Sequence, residues 1–278
     1  MTSAFSSAQE LTWDDREVAA QQLSGKQLAA RNALHDLELR FPDAFKNNAT
    51  LTTGAINTGI PEINRLCGGV PRGSLSEIVG NASSGRTTVM MNLLHEVTEC
   101  GEVCALIDVS DTFSPHAASA LGVDMGRLLW VRCTKEAQPK TMKGRLAPLE
   151  QAFKAADLLL NAGGLGLLVI DLGNIAHEVA RKIPLASWFR LRRMVEHTKT
   201  ALLVVALETT VGTCSALTLE LRHRRLVLEM EADAPFHARL LACLESDART
   251  TRLPASVKKS INSALSHVTL ETKWNLAL

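Results

Sequence analysis

Apolar positions near the start of the chain recur at broadly helical spacing. Val18, Leu23, Leu28, Leu34, Leu37 and Phe41 form one stripe, with Thr12 as a cap and Pro42 as a stop. The pattern predicts a helix over Asp14–Phe41, interrupted at Ser24-Gly25. The polar stretch Lys46–Thr53 separates this arm from a body that begins near Ile56. From there the rhythm changes. Short apolar runs at Leu75–Val79, Val103–Asp108, Leu128–Cys133, Leu165–Asp171 and Ala201–Leu207 alternate with helical periods. The helices are predicted at Thr87–Glu99, His116–Leu121, Leu146–Asn161 and Leu185–His197. Strands that are apolar throughout are buried on both faces, so the pattern predicts an α/β protein with a mainly parallel sheet covered by helices on both sides. After Cys214 the strands alternate instead. Ala216–Leu221 and Leu226–Glu231, around a polar turn at Arg222–Arg225, predict an antiparallel C-terminal hairpin. Three parts follow: a helical arm and linker at 1–50, a core at 51–231, and a basic C-terminal region at 232–278 whose pattern is too weak to assign elements.

Between the first strand and the helix after it lies Gly80-Asn81-Ala82-Ser83-Ser84-Gly85-Arg86-Thr87-Thr88. The strand–loop–helix setting matches a phosphate-binding loop, G-x-x-x-x-G-K-[ST], with Arg86 in the lysine position. Glycines let backbone amides converge on phosphate oxygens, and the helix N-terminus adds a positive dipole end. Gly80, Ser84, Gly85, Arg86, Thr87 and Thr88 are therefore the candidate nucleotide-binding residues. The same residues also fit a plain glycine turn that opens a helix. Leu167-Leu168-Val169-Ile170-Asp171 ends an apolar strand in an acid, so Asp171 and the Thr87 hydroxyl are the candidate magnesium ligands.

Composition narrows the class. With 278 residues, 46% apolar and 21% charged, the chain is long enough for one large core. No run approaches the roughly 18 apolar residues of a membrane span, and Met1–Glu10 lacks a basic and apolar leader. A cytoplasmic protein without membrane contact is the expectation. The six cysteines show no C-x-x-C spacing, which predicts reduced thiols. The net charge of +1 conceals an excess of lysine and arginine after Ala180. Arg190, Arg192 and Arg193 stand beside Trp188 and Phe189, and Arg222, Arg224 and Arg225 form a second cluster. Mixed aromatic and basic residues suit single-stranded DNA; a solvated helix face with Trp188 in the core fits the same residues.

The chain resembles the RecA-like recombinase superfamily from about Ile56 to Met230. Thr58-Gly59-Ile60, Gly68-Gly69-Val70-Pro71-Arg72-Gly73, Glu77-Ile78-Val79-Gly80, Cys104-Ala105-Leu106-Ile107-Asp108 and Leu121-Gly122-Val123-Asp124 carry the likeness. It implies a RecA-like P-loop core with ATP and magnesium as cofactors. Departures from the pattern bear on function. Ser110 stands at the position of the catalytic glutamate, with Asp111 adjacent; Ala117 stands where a tyrosine stacks on adenine, and the chain has no tyrosine. Glu208 replaces the glutamine that senses the terminal phosphate, and a carboxylate there repels a triphosphate. The segments Ala176–Pro184 and Thr209–Ser215, where DNA-binding loops belong, are short.

Within the superfamily the chain is most similar to the ImuA-type proteins, sometimes labelled SulA-like. That likeness implies an accessory role in SOS-controlled, damage-induced translesion synthesis and mutagenesis. Its partners would be an inactive Y-family polymerase homologue of the ImuB type, recombinase RecA and DNA, with self-association through the N-terminal helix. No catalytic residue is expected. Two further readings stand beside this one: a DNA-stimulated ATPase in which Arg86 replaces lysine and Asp111 the glutamate, and a cell-division inhibitor.

Overall fold

In a computed structural model, residues 54–133, 141–173, 175–229, 240–254 and 267–273 are described, together with helical residues 32, 33, 35–37, 39 and 40. Most of the predicted arm and all of the polar stretch Lys46–Thr53 lie outside the described residues. A short antiparallel pair, β1 (Ala55–Ile56) and β2 (Val70–Pro71), flanks helix α1 (Pro61–Cys67). The main sheet then begins with β3 (Leu75–Gly80), followed by α2 (Arg86–Glu99), β4 (Val103–Asp108), α3 (Pro115–Ala120) and β5 (Leu128–Arg132). Next come α4 (Met142–Ala162), β6 (Leu165–Asp171), α5 (His177–Ala180), α6 (Leu185–Val195) and β7 (Ala201–Ala206). The chain closes with β8 (Leu217–Glu229), β9 (Leu240–Arg252) and β10 (His267–Lys273).

The eight-stranded sheet runs β10-β9-β8-β3-β7-β6-β4-β5. Pairing is parallel from β8 to β5 and antiparallel for β8–β9 and β9–β10. The predicted α/β architecture with an antiparallel hairpin is therefore present. Its strands are apolar throughout because they serve two cores. Ala105, Ile107, Leu168 and Ile170 face α4 and α6, where Phe153, Leu159, Trp188 and Leu191 pack. Their alternates Cys104, Leu106, Leu167 and Val169 face α1 and α2, against Ile63, Leu66, Val89, Leu93 and Leu94. Leu37, from the helical residues near the N-terminus, is buried in the first of these cores. Burial pushes the Cys67 thiol up to about 11, and Cys67, Cys100, Cys104 and Cys214 are free thiols.

One boundary differs from the sequence pattern. Arg222–Arg225 is not a turn but the middle of the 13-residue strand β8, with a register irregularity between His223 and Arg225. Charged residues in an antiparallel strand pair with carboxylates across the ladder, so a polar run there need not break the strand. Arg225 meets Glu245 at 2.7 Å, and Glu220 takes both Arg222 at 2.7 Å and Arg249 at 2.6 Å. The hairpin partner is β9. The described residues of the 232–278 stretch thus continue the sheet of the core as its two outermost strands on that side.

Candidate nucleotide site

Parallel pairing in register brings the C-terminal ends of β3, β4, β6 and β7 to one edge of the sheet. Val79 lies opposite Ala206, Asp108 opposite Asp171, and Asp171 opposite Val205. In open α/β sheets ligands bind outside this edge, and the edge holds Gly80, Ser110, Asp171 and the approach to Glu208.

The loop that leaves β3 is tightly wound. Any Cβ at Gly80 would overlap the Leu221 carbonyl and Ser84 Oγ. Gly85 caps α2 at φ 92°, a left-handed conformation that glycine adopts without a steric penalty. No side chain caps α2, so the amides of its first turn are open to a ligand. Ser84 is 1% exposed, and its Oγ has no hydrogen-bond partner among the described residues. Thr87, the candidate metal hydroxyl, is exposed, and Thr88 is half-buried.

Arg86 does not extend into solvent. It is 7% exposed and donates from Nη2 to the Gly173 carbonyl at 3.2 Å, while Nη1 is buried without a hydrogen-bond partner among the described residues. Burial depresses its pKa, and the Asp171 carboxylate works in the opposite direction. Asp171 is also buried, and its Oδ1 accepts the Gly173 amide at 2.8 Å. Burial raises the Asp171 pKa and the Asp108 charge adds to this, against the Gly173 hydrogen bond and Arg86. Asp108 is engaged on both carboxylate oxygens. It accepts from Thr112 N at 3.2 Å, Phe113 N at 2.9 Å and Trp130 Nε1 at 3.4 Å.

The remaining positions singled out in the sequence surround this centre. Ser110 is buried. Asp111, at φ 52°, is gripped by Arg132 through Nε at 2.7 Å and Nη2 at 2.8 Å, and that guanidinium stacks on Trp130 at 5.0 Å. Glu208 points outward and lies 3.4 Å from His177 Nδ1 on α5. Ala117 is half-buried on α3 and offers no ring.

The basic residues divide into two separate groups. Arg190 pairs with Asp157 of α4 at 2.7 Å, Arg192 with Glu196 at 3.1 Å, and Arg193 is exposed, all on α6. Arg222, Arg224 and Arg225 lie on β8; Arg224 donates to Thr269 at 2.9 Å, with Asp247 at 3.7 Å. Of the two aromatic residues expected beside the arginines, only Phe189 is exposed. Trp188 is fully buried, edge-on to Phe153 at 4.8 Å between ring centroids, because it falls on the sheet-facing side of α6.

Two polar residues had no assigned role in the sequence. Glu77, in the middle of β3, accepts Thr210 N at 2.7 Å, Val211 N at 3.1 Å and Thr210 Oγ1 at 3.1 Å on Oε1; Oε2 is buried with no hydrogen-bond partner among the described residues. Burial raises its pKa against those hydrogen bonds and the Arg252 charge. An acid inside an apolar strand was the visible signal. Ser246 gave none: it is brought in by β9, and its Oγ would sit 3.7 Å from a Cβ on Gly85. Among the described residues, His95, Glu96 and Glu99 gather potential metal-ligand atoms on the outside of α2, where His95 and Glu99 form an i,i+4 pair at 3.3 Å. No helix among the described residues is long and apolar enough to cross a membrane.

Comparison with known sequences places the chain. A family model of the RecA N-terminal domain matches residues 42–182, half of the chain. Protein RecA of Nostoc sp. is 34% identical over 157 residues, covering 53% of this chain and 39% of the relative. Protein RecA of Corynebacterium jeikeium is 37% identical over 119 residues, covering 42% and 28%. Protein RecA of Rickettsia bellii is 38% identical over 104 residues, covering 37% and 26%. The aligned part of the chain thus spans well under half the length of these curated relatives.

Proposed function

We propose, from the premise that this chain belongs to the RecA N-terminal domain family, that it is an accessory member that binds partners in damage-induced translesion DNA synthesis and mutagenesis, without ATP turnover. The carrying observation is the state of the hydrolytic positions along the C-terminal edge of the sheet. The base position holds Ser110, and a missing general base alone typically costs about 100- to 10,000-fold. Asp111, the only acid adjacent to that position, is committed to Arg132 through two hydrogen bonds. This weighs against the ATPase reading, which needs Asp111 to polarise water. Glu208, at the position of the phosphate-sensing glutamine, points outward and contacts His177.

The proposed partners are an inactive Y-family polymerase homologue of the ImuB type and recombinase RecA. DNA contacts are assigned to Arg190, Arg192 and Arg193 on α6 and to Arg222, Arg224 and Arg225 on β8.

The test pairs chemistry with capture. Magnesium-dependent ATP turnover, with and without single-stranded DNA, is expected at background, and Arg86→Lys is expected to leave it there because no water-polarising group is restored. Pull-down of the full chain from damaged cells is expected to recover the polymerase homologue. Turnover at the rate of a working recombinase, or a pull-down without that partner, sinks the proposal.

A further inference from the structure

A RecA-family loop implies a nucleotide together with its magnesium ion, and the residues present fit only the first of these. The phosphates meet a suitable surface. The uncapped N-terminus of the 14-residue helix α2 faces the loop, and three buried polar atoms beside it lack a hydrogen-bond partner among the described residues: Arg86 Nη1, Ser84 Oγ and Ser246 Oγ. Arg86, Ser84 and Ser246 are 7%, 1% and 3% exposed, so bulk water does not serve these groups. Buried donors in native proteins are almost always paired, and a set of them around a helix N-terminus suits an anion.

The metal does not fit. Magnesium needs near-octahedral oxygen ligands. Of the two candidate ligands, the Thr87 hydroxyl is exposed, but Asp171 Oδ1 accepts the Gly173 amide, and the neighbouring Asp108 takes three N–H donors. The guanidinium of Arg86 lies against the same turn. A Cβ on Gly173 would be 2.8 Å from Asp171 Oδ1 and 3.9 Å from Arg86 Nη2. A fixed positive charge there repels a second cation. A lysine ends in one compact charge, whereas the forked guanidinium offers separate donors to two places. In Arg86, Nη2 serves the Gly173 carbonyl beside the strand-end acid, and Nη1 is left over.

We infer that this loop takes a polyphosphate chain without a divalent cation, with Arg86 supplying the charge that the metal would supply and Ser246 of β9 adding a hydroxyl to the loop. The inference deepens the accessory reading by assigning its degenerate site a ligand class, and it rests on that reading. Ser246 reaches the loop from β9, the strand that follows β8 on that side of β3. Both free tripolyphosphate and the phosphates of ATP present this chemistry.

The test follows thermal unfolding of the full chain with tripolyphosphate, ATP or ADP, each in EDTA and again in magnesium. The expected result is a rise in Tm in EDTA that magnesium does not increase. A response to ATP and ADP but not tripolyphosphate identifies a nucleotide site; a response to all three identifies a general polyphosphate site. Ser246→Ala is expected to weaken binding about tenfold while leaving the unliganded Tm close to that of the parent. Arg86→Lys is expected to make the rise depend on magnesium. Stabilisation of the parent only in magnesium overturns the inference, as does no stabilisation under either condition. ATP turnover measured in the same samples separates the two proposals: turnover sinks the accessory reading, whereas this inference is decided by binding.

Discussion

At the scale of single residues, Glu77 shows how a buried acid is tolerated in a central strand. Three donors from the segment after β7 converge on Oε1, while Oε2 has no hydrogen-bond partner among the described residues. Burial raises the carboxyl above its ordinary value of 4.5. The folded state therefore holds the Glu77 proton more tightly than the unfolded state does. Its contribution to stability is full below the ordinary value and is lost as pH rises through the raised one. Glu77→Gln keeps an acceptor for Thr210 and Val211 and removes the titration. Denaturant unfolding from pH 4 to pH 8 is expected to show the parent losing stability relative to Glu77→Gln as pH rises. Parallel stability profiles would assign the pH dependence elsewhere.

At the scale of elements, α6 separates packing from contact within two adjacent residues. Trp188 is fully buried against Phe153, and Phe189 is 43% exposed on the other side of the helix. Trp188→Ala is expected to cost about 3–5 kcal/mol in unfolding free energy, and Phe189→Ala less than about 0.5 kcal/mol. Comparable losses for the two would mean that the face of α6 is misassigned. The arginines of the same helix differ in availability. Arg190 and Arg192 are ion-paired, whereas no carboxylate among the described residues pairs with Arg193. A phosphate must compete with an existing partner at the first two. The salt slope of single-stranded DNA binding is therefore expected to flatten by about 0.7 on Arg193→Ala and by less on Arg192→Ala. An unchanged slope for Arg193→Ala returns this helix face to solvent.

For the whole molecule, the open matter is how the N-terminal arm relates to the body. Leu37 is buried among residues of the α4 and α6 core, while Leu39, two positions on, is 69% exposed. The end of the predicted arm therefore closes its own domain, and any self-association falls to the part before it. Deleting residues 1–31 is expected to leave Tm within a few degrees of the parent and to abolish self-association in size-exclusion chromatography. Deleting residues 1–47 also strips Leu37 from the core and is expected to lower stability by at least the roughly 2–5 kcal/mol of a large-to-small core substitution. Unfolding of the shorter deletion would place the whole arm in the core. An unchanged elution volume would remove the docking role.

The amino-acid sequence by itself determined the α/β class, the mainly parallel character of the sheet and the position of the loop. These depend on local periodicity and on glycine spacing, both of which read the same in the chain and in the fold. Strands buried on two sides leave unbroken apolar runs, and the loop lies where one such run meets a helix. Arg86 was legible from the spacing of the loop, whereas Ser110 and Glu208 stood out only through the resemblance to the RecA-like recombinases. Only the tertiary structure decided what those residues touch. Arg86 is turned toward Gly173, Asp111 is held by Arg132, and Ser246 lies beside the loop across two strands. It also decided that Arg222–Arg225 continues a strand, since the carboxylates that make a charged strand stable come from β8 itself and from β9, the latter about twenty residues later. Partners distant in the sequence leave no periodic signal, and the chemistry of this site depends on such partners.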